Sequence, residues 1–177
     1  ELLAAYMRDK PAGLRILDAG CGTGLNAAVL KPHAETLTGI DLSEKMTDAA
    51  GEKGLYDTLL TADIVRFCNE NPASFDLIVL ADVVCYFGVL EPLLSAVFKA
   101  LAPGGSVFFT AEKLSGGQDF VLQPSGRFAH SRQYVENMLV RTGFEKIRLS
   151  EENLRREKEL NVAGILAAAE KTAEKSN

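Results

Sequence analysis

The sequence predicts an α/β fold in which a mostly parallel sheet carries helices on both faces. Short apolar runs of strand length alternate with segments of helical spacing as far as about residue 110. Four successive strands end in an acid, at Asp18, Asp41, Asp63 and Asp82, and a glycine-rich turn over residues 20–24 follows the first strand. In open α/β sheets, ligands bind in the crevice outside the carboxyl ends of the strands. These acids and this turn therefore predict a binding site.

The first five strands and the helices between them follow from apolar runs and from helix-stop signals. The strands are predicted at residues 15–17, 36–40, 56–61, 75–80 and 106–110. The helices are predicted from the glycine turn to about Leu30, from Ser43 as N-cap to about Gly51, over residues 64–69, and from a first turn that contains Pro92 to Ala102.

The chain changes character after the fifth strand. Residues 115–130 are rich in Gly, Gln and Ser and show no helical period. A connection of this length is usually either functional or disordered. We interpret it as a lid on the substrate side of the site, with Arg127 and His130 facing the substrate.

The last part of the chain predicts one helix and two strands. Ser131 is placed to cap a helix that has apolar residues at helical spacing, and Gly143 is placed to end it. Residues 145–149 and 162–169 are predicted to form an antiparallel hairpin that completes the sheet.

Composition indicates a single globular enzyme domain over residues 1–177. The 177 residues are 47% hydrophobic and 24% charged, with a net charge of −5 and no basic block, which disfavours nucleic acid as a partner. Three scattered cysteines and two histidines make a metal site improbable and suit the reducing cytoplasm. No apolar run of about eighteen residues predicts a membrane span. The chain begins at Glu1 rather than Met, so we expect further N-terminal residues in the full-length protein.

The glycine turn has the charge of a site for a cationic ligand. Gly20, Gly22 and Gly24 allow a sharp turn and a close backbone approach. The third glycine comes one residue earlier than in a dinucleotide fingerprint, where Leu25 stands instead, and Asp18 ends the strand. A carboxylate here should repel phosphate, so S-adenosylmethionine (SAM), with its sulfonium and ammonium, is the nucleoside ligand that fits.

The next strand ends supply groups that an adenosyl ligand needs. Asp41 lies about twenty residues after the glycines, where an acid accepts both ribose hydroxyls. Leu42 and Met46 offer apolar surface to a purine. Asp63 is an acceptor for an exocyclic amine, and Ile64 is an aliphatic wall beside it.

These motifs together resemble the class I SAM-dependent methyltransferases. The resemblance covers Leu-Asp-Ala-Gly-Cys-Gly-Thr-Gly at 17–24, and residues 39–46, 62–64, 75–82 and 101–105. It implies a Rossmann-like sheet of seven mostly parallel strands with an antiparallel C-terminal hairpin strand, SAM as cofactor with S-adenosylhomocysteine as product, no metal, and a small-molecule acceptor. The implied cofactor residues are Asp18, Gly20, Cys21, Gly22, Gly24, Asp41, Leu42, Met46, Asp63, Ile64, Ala81 and Asp82.

A narrower resemblance concerns the end of the chain. Gly-Arg-Phe-Ala-His-Ser at 126–131, with residues 154–156 and 162–164, is similar to a bacterial group of methyltransferases that are often fused to TPR repeats. It implies N-terminal TPR repeats in the full-length protein.

The catalytic residues stay open at this stage. Asp41, Asp63 and Asp82 are also suited to capping helices or turns, and Tyr86 is also suited to core packing. Arg127 and His130 could clamp an anionic substrate, or His130 could remove a proton, so Tyr86 and His130 are weak catalytic candidates.

Three functions are compatible with these residues to different degrees. Residues 81–86 replace the Asn/Asp-Pro-Pro-aromatic motif of many amine N-methyltransferases, which favours targets other than nucleobases and amides. An active small-molecule methyltransferase is preferred. A nicotinamide oxidoreductase is disfavoured by Asp18, Leu25 and the terminal hairpin, and a catalytically silent SAM-binding scaffold shares every cofactor motif with the active enzyme.

Overall fold

The computed structural model describes the backbone of residues 2–157 and 160–173, and the side chains of residues 2–154 and 162–173. The described strands are β1 (Leu14–Ala19), β2 (Ala34–Asp41), β3 (Thr58–Thr61), β4 (Phe75–Leu80), β5 (Leu101–Lys113), β6 (Phe120–Leu122), β7 (Phe128–His130), β8 (Phe144–Glu157) and β9 (Leu160–Lys171). The described helices are α1 (Leu2–Met7), α2 (Ala27–Leu30), α3 (Glu44–Gly51), α4 (Ile64–Glu70), α5 (Glu91–Ala100) and α6 (Arg132–Thr142). No helix in these ranges has the length and apolar character to cross a membrane.

All the strands belong to one sheet. The order β3-β2-β1-β4-β5 is parallel throughout, β9 pairs antiparallel with β5 from Ser106 to Glu112, and β8 pairs antiparallel with β9. The seven strands β3-β2-β1-β4-β5-β9-β8 are the predicted sheet, so the α/β fold class is confirmed.

Alternating strand residues supply two cores, one on each face of the sheet. On β4, Ile78 and Leu80 pack with residues of α4, α5 and α6, whereas Leu77 and Val79 pack with residues of α1 and α2. This alternation follows from the two-residue period of a strand. Because both faces of β4 are covered, its sequence is apolar throughout, as expected for the centre of a parallel sheet.

Residues 115–130 contain no helix, as the missing helical period predicts, but part of the segment is regular. This segment contains the hairpin β6–β7, which turns at Gly126 with a φ of 80°, and β7 pairs in parallel with the last residues of β5. Phe120 and Phe128 meet edge to face across the hairpin, with 5.9 Å between their ring centroids. Each of these strands has only three residues, which is too short for an alternating pattern to be visible in the sequence.

Several element boundaries differ from the predicted ones. The glycine turn does not lead directly into a helix, because α2 begins only at Ala27, and α1 has no counterpart in the prediction. Helix α5 ends two residues earlier than predicted, at Ala100. Ser43 occupies the N-cap position of α3 but makes no side-chain capping hydrogen bond.

The caps predicted for α6 are confirmed. The Ser131 hydroxyl accepts a hydrogen bond from the backbone N–H of Tyr134, at 3.2 Å. Gly143 ends the helix in the left-handed conformation, with a φ of 100°.

Candidate active site

A cavity of about 760 Å³, here called the main cavity, lies outside the carboxyl ends of β1, β2 and β4. It contains ten of the twelve predicted cofactor residues and Tyr86. Its lining consists of Gly20, Cys21, Gly22, Thr23, Leu25, Asn26, Asp41, Leu42, Ser43, Met46, Asp63, Ile64, Ala81, Asp82, Val83, Tyr86 and Phe87. Its volume is in the range of cavities that bind small ligands.

The glycine turn is held by backbone hydrogen bonds to the neighbouring strand. The N–H groups of Gly20 and Cys21 both donate to the carbonyl oxygen of Ile40, at 2.8 and 2.9 Å. Gly20 has a φ of 77°, and a Cβ atom there would overlap the side chain of Val83. Gly22 has a φ of 53°, and a Cβ atom there would meet nothing within 4 Å. The turn therefore needs glycine at the first position for packing and leaves open space for a ligand at the second.

Asp41 is oriented by the backbone at the end of β2. Its Oδ2 accepts from the N–H of Gly22 at 3.0 Å, and its Oδ1 accepts from the N–H of Ser43 at 2.9 Å. Each carboxylate oxygen has a second lone pair, so the group has further capacity to accept hydrogen bonds within the main cavity. Two neighbouring hydroxyls are the natural partners of a carboxylate held in this way.

The placement of Asp18 differs from the prediction. Its side chain is fully buried and does not line the main cavity. It accepts hydrogen bonds from the Tyr56 hydroxyl at 2.7 Å and from the Asn26 side-chain amide at 3.3 Å. Burial raises the pKa of Asp18 to about 6, although these two hydrogen bonds oppose the shift. Asp18 therefore acts on the cavity through Asn26, which does line it, rather than by touching a ligand.

Gly24 and Cys21 contribute no reactive group to the main cavity. Gly24 does not line the main cavity. It packs against Tyr56 and Ala50, because a Cβ atom there would lie 3.0 and 3.3 Å from their side chains. Cys21 does line it, and burial followed by the carboxylates of Asp18 and Asp41 raises the pKa of its thiol to about 12. The thiol is therefore protonated at neutral pH and is not a nucleophile.

Asp63 caps a helix and also borders the main cavity. Its Oδ1 caps α4 by accepting from the N–H of Arg66 at 2.8 Å, and the residue also lines the main cavity beside Ile64. On another wall, Leu42 and Met46 are 71% and 39% exposed. Apolar side chains exposed inside a cavity provide surface for a flat ring.

Asp82 joins the end of β4 to the β6–β7 hairpin. It has a left-handed φ of 59°, a conformation that aspartate tolerates better than most residues. Both of its carboxylate oxygens accept from Arg127, at 3.1 and 3.0 Å. Arg127 also donates to the Tyr86 hydroxyl at 3.0 Å and lies 3.5 Å from Glu112. The sequence had suggested that Arg127 binds an anionic substrate. In the structure its guanidinium instead contacts two carboxylates of the protein.

Contrary to the prediction that His130 faces the substrate, its side chain points into the core and does not border the main cavity. Its ring is fully buried, stacks on Tyr134 with 5.9 Å between centroids, and places Nε2 3.1 Å from the carbonyl oxygen of Gly88. Its Nδ1 has no hydrogen-bond partner among the described residues. Burial lowers the pKa of His130, so the ring is neutral near pH 7. His130 joins the hairpin to the loop after β4 and does not reach the main cavity.

A family model described as a methyltransferase domain matches residues 17–109, which is more than half of the 177 residues. The chain belongs to this methyltransferase family. The resemblance to class I SAM-dependent methyltransferases is thereby confirmed, and SAM is the cofactor that this membership implies. The narrower resemblance to methyltransferases fused to TPR repeats stays a prediction.

Curated relatives include ubiquinone biosynthesis O-methyltransferases from two bacteria. The one from Idiomarina loihiensis is 30% identical over 102 residues, which are 55% of this chain and 42% of the relative. The one from Paracidovorax citrulli is 30% identical over 142 residues, which are 77% of this chain and 57% of the relative. The chain thus spans about half the length of these relatives.

Solved structures share the methyltransferase fold at lower identity. A SAM-dependent methyltransferase from Mesorhizobium loti has a TM-score of 0.74 at 24% identity, with 95% of each chain covered. Phosphoethanolamine N-methyltransferase 2 of Haemonchus contortus, in complex with SAM, has a TM-score of 0.77 at 20% identity, covering 96% of this chain and 52% of the other. The [4+2]-cyclase SpnF has a TM-score of 0.80 at 18% identity, covering 97% and 80%. At these identities the likeness concerns the fold alone.

Sequence reasoning missed six residues of this methyltransferase domain that line the main cavity: Thr23, Leu25, Asn26, Ser43, Val83 and Phe87. They lie between or directly beside the motif residues, so their position along the chain was the available signal. The side chain of Leu25 is 80% exposed and borders the main cavity, so it is accessible to a ligand there. Within the described residues, no group of three or more His, Cys, Asp or Glu is placed to hold a metal ion.

Proposed function

We propose that this domain binds SAM in the main cavity and transfers the methyl group to a small molecule. The observation that carries the proposal is the charge of the lining. Asp41, Asp63 and Asp82 contribute three carboxylates, of which that of Asp82 pairs with Arg127, and none of the described lining residues is Lys, Arg or His. A cavity with this charge suits a cationic nucleoside and opposes the phosphates of a dinucleotide.

The lining residues divide between the parts of SAM by their chemistry. Asp41 is assigned to the two ribose hydroxyls, because its carboxylate is fixed with lone pairs to spare. Asp63 is assigned to the exocyclic amine of adenine, with Leu42 and Met46 as apolar surface for the ring. The turn at Gly22 is assigned to the methionine part of SAM, because there is open space beside its backbone.

The residues of the domain contribute alignment rather than a proton relay. When bound, SAM supplies a methyl carbon to which an acceptor lone pair forms a bond as the carbon–sulfur bond breaks and its electron pair stays on sulfur. Holding reacting atoms in line contributes up to roughly 7–11 kcal/mol toward such a reaction. His130 is buried and the Cys21 thiol is protonated, so neither is assigned as a base. Any proton of the acceptor is assigned to solvent.

The small-molecule acceptor is supported by the names of the relatives. The two bacterial relatives are O-methyltransferases of ubiquinone biosynthesis, which favours an oxygen nucleophile. Because the [4+2]-cyclase has the same fold, methyl transfer must be measured directly rather than inferred from architecture.

The binding part of the proposal is tested by calorimetric titration with SAM. Asp41→Ala should weaken binding more than about tenfold, because a charge-assisted hydrogen bond contributes about 1.5–3 kcal/mol. Asp48→Ala is the matched control, since Asp48 is an exposed aspartate on α3 outside the main cavity. Equal affinities of the two variants for SAM would remove Asp41 from the ribose site.

The transfer part is tested with SAM that carries a tritium-labelled methyl group. The protein is incubated with a methanolic metabolite extract, and label is counted separately in the ultrafiltrate and in the retained macromolecules. Label in the ultrafiltrate is expected. Label only in macromolecules would contradict the small-molecule acceptor, and tight SAM binding without any transfer would favour the silent scaffold.

A further inference from the structure

Tyr56 lies outside the cofactor motifs, yet it joins the glycine turn to the end of β1. Its hydroxyl donates to Oδ2 of Asp18 at 2.7 Å, and Asp18 is fully buried. Its ring lies against two glycines, because a Cβ atom would come within 3.0 Å of the ring at Gly24 and within 2.7 Å of it at Gly39 on β2. Both glycines therefore leave room for this ring, which brings the hydroxyl to Asp18.

The other carboxylate oxygen of Asp18 holds the side chain of Asn26. The Asn26 amide nitrogen donates to Oδ1 of Asp18 at 3.3 Å. An ionised carboxylate only accepts hydrogen bonds, so ionised Asp18 holds this amide by its NH2 group. The Asn26 side chain makes no capping hydrogen bond at the start of α2, and the residue lines the main cavity. With its nitrogen on Asp18, the amide has its carbonyl oxygen left for a ligand in the cavity.

The proton positions follow from burial. Burial, followed by the charge of Asp18, raises the pKa of Tyr56, so the phenol keeps its proton and remains a donor at neutral pH. Burial also raises the pKa of Asp18 to about 6, although the hydrogen bonds from Tyr56 and Asn26 oppose the shift. Protonation of Asp18 would place a hydrogen on one of its two oxygens, where it competes with one of these two donors. The orientation of Asn26 therefore depends on the ionisation of Asp18.

The other elements around Asp18 add one charge. The carboxylate of Asp41 on β2 raises the pKa of Asp18 further, in the same direction as burial. The thiol of Cys21 in the glycine turn is protonated, because its pKa is raised to about 12. The residue that pairs with Asp18 on β4 is the apolar Val79. A cation in the main cavity would therefore face the charges of Asp18 and Asp41 together.

We propose that Tyr56 is a positioning residue for the cofactor: through Asp18 it orients Asn26, whose carbonyl oxygen accepts a hydrogen bond from the ammonium of SAM. The negative charge of Asp18 behind the amide strengthens this acceptor for a cation. The proposal rests on the proposed function and adds Tyr56 and Asn26 to the groups that select SAM. It also couples cofactor binding to a proton, because SAM binds best when Asp18 is ionised.

The first measurement is the affinity of the wild type for SAM as a function of pH, by calorimetry. A cation bound near Asp18 favours its ionised form, so protonation of Asp18 opposes binding. Because the pKa of Asp18 in the free protein is about 6, the affinity should fall about fivefold or more between about pH 7 and about pH 5. Asp18→Asn should remove this fall. A wild-type affinity that does not change over this range would overturn the proposal.

The second measurement uses Tyr56→Phe, which removes the hydroxyl and keeps the ring. Losing a donor to the carboxylate raises the pKa of Asp18, so the pH at which the affinity falls should rise by about one unit. Well above that pH, the affinity should stay within about twofold of the wild type. A Tyr56 side chain that only packs would change stability without moving this midpoint, so a wild-type midpoint would overturn the proposal.

Tyr6→Phe is the matched control for this variant. The Tyr6 hydroxyl also donates to one side chain, Ser106 Oγ at 3.3 Å, and Tyr6 does not line the main cavity. This variant should reproduce the wild-type affinity for SAM at every pH.

The third measurement assigns the ammonium to Asn26 by comparing ligands. Asn26→Ala should bind SAM and S-adenosylhomocysteine about tenfold more weakly than the wild type, because both ligands carry the ammonium. Its affinity for 5′-methylthioadenosine, which lacks the amino-acid part, should stay within about twofold. Asn69→Ala is the control, since the Asn69 amide donates to Val65 on α4 outside the main cavity. Equal losses for the three ligands would mean that Asn26 shapes the cavity without binding the ammonium.

A double-mutant cycle tests whether Tyr56 acts through Asp18. When Asp18→Asn is already present, adding Tyr56→Phe should leave the affinity for SAM unchanged at every pH. A further loss in the double variant would show that Tyr56 acts by another route. Thermal melting confirms that each variant folds, and if Asp18→Asn does not fold, the midpoint of Tyr56→Phe decides.

The failures of the two proposals are distinguishable here. Tight binding of SAM that is indifferent to pH and to Asn26→Ala would overturn this inference and leave the proposed function intact. A wild-type protein that binds no SAM at any pH would overturn the proposed function and this inference with it.

Discussion

The glycine turn after β1 and the β6–β7 hairpin both border the carboxyl edge of the sheet, but different forces hold them. The turn is fixed through its backbone N–H groups. Those of Gly20 and Cys21 donate to the carbonyl oxygen of Ile40, and that of Gly22 donates to the carboxylate of Asp41. The hairpin is fixed to the loop after β4 by side chains, through Arg127 and His130. The partners of the turn lie about twenty residues away and bind its backbone N–H groups, whereas the partners of the hairpin lie more than forty residues away and bind its side chains. The comparison predicts that substitutions in the two regions fail differently.

The largest expected effect is on the turn. Gly20→Ala should lower the free energy of unfolding by about 2–5 kcal/mol, from about 1–2 kcal/mol of left-handed strain and about 1–3 kcal/mol of overlap with Val83. Gly22→Ala is the control: it has a left-handed φ but open space, so only the strain of about 1–2 kcal/mol applies. Urea unfolding measures both. Equal losses would mean that Val83 moves aside and that the turn is less rigid than its hydrogen bonds imply.

The next effect shows whether His130 of the hairpin stabilises the fold or contacts the substrate. His130→Ala should cost about 2–4 kcal/mol of stability, because it leaves a cavity and removes the hydrogen bond to Gly88. Ser125→Ala, at an exposed position of the same hairpin, should be nearly neutral. Thermal or urea unfolding is the measurement. Wild-type stability combined with a loss of methyl transfer would restore His130 to the substrate side.

The sequence could predict the features that depend on local patterns, but not those that depend on distant side-chain partners. The alternation of strands and helices, the acids at the strand ends and the caps of α6 follow from local patterns, and Ser131 and Gly143 lie where the helix needs them. Asp41 was identified because its position after β2 fixes its surroundings. These features require no knowledge of distant residues.

The features that were missed depend on contacts between distant parts of the chain. Whether Arg127 faces a substrate depends on Asp82, 45 residues away, whose two carboxylate oxygens each accept a hydrogen bond from it. Asp18 is buried because Tyr56, 38 residues away, covers it and donates to it. A sequence pattern indicates that a residue is acidic at a strand end, but the partner that occupies its carboxylate is decided by tertiary packing.

A smaller effect concerns the pH dependence contributed by Asp18. Its folded pKa of about 6 lies above the ordinary value of 3.8, so the folded state binds a proton more readily and this group stabilises the fold as pH falls. Between about pH 7 and about pH 5 the gain is on the order of 1 kcal/mol relative to Asp18→Asn. Asp57 and Asp76 have lowered pKa values and act in the opposite direction, so the difference between wild type and variant must be measured. If the free energies of unfolding of wild type and Asp18→Asn change with pH in the same way, ionisation of Asp18 does not destabilise the folded state.

The smallest expected effect is that of Tyr86→Phe, which separates a partner of Arg127 from a catalytic group. The Tyr86 hydroxyl accepts from Arg127 at 3.0 Å, the guanidinium lies 5.4 Å from the ring centroid, and the residue is 62% exposed. Losing one exposed hydrogen bond should cost about 0.5–1.5 kcal/mol, and kcat for transfer should fall by no more than about tenfold. A catalytic acid or base contributes about a hundredfold or more, so a fall of that size without loss of stability would make the hydroxyl catalytic. Tyr86→Ala is the companion variant, because it also removes the ring beneath Arg127. If Arg127 needs that ring to stay on Asp82, the alanine variant alone will loosen the hairpin and raise the KM for the acceptor while leaving SAM affinity unchanged.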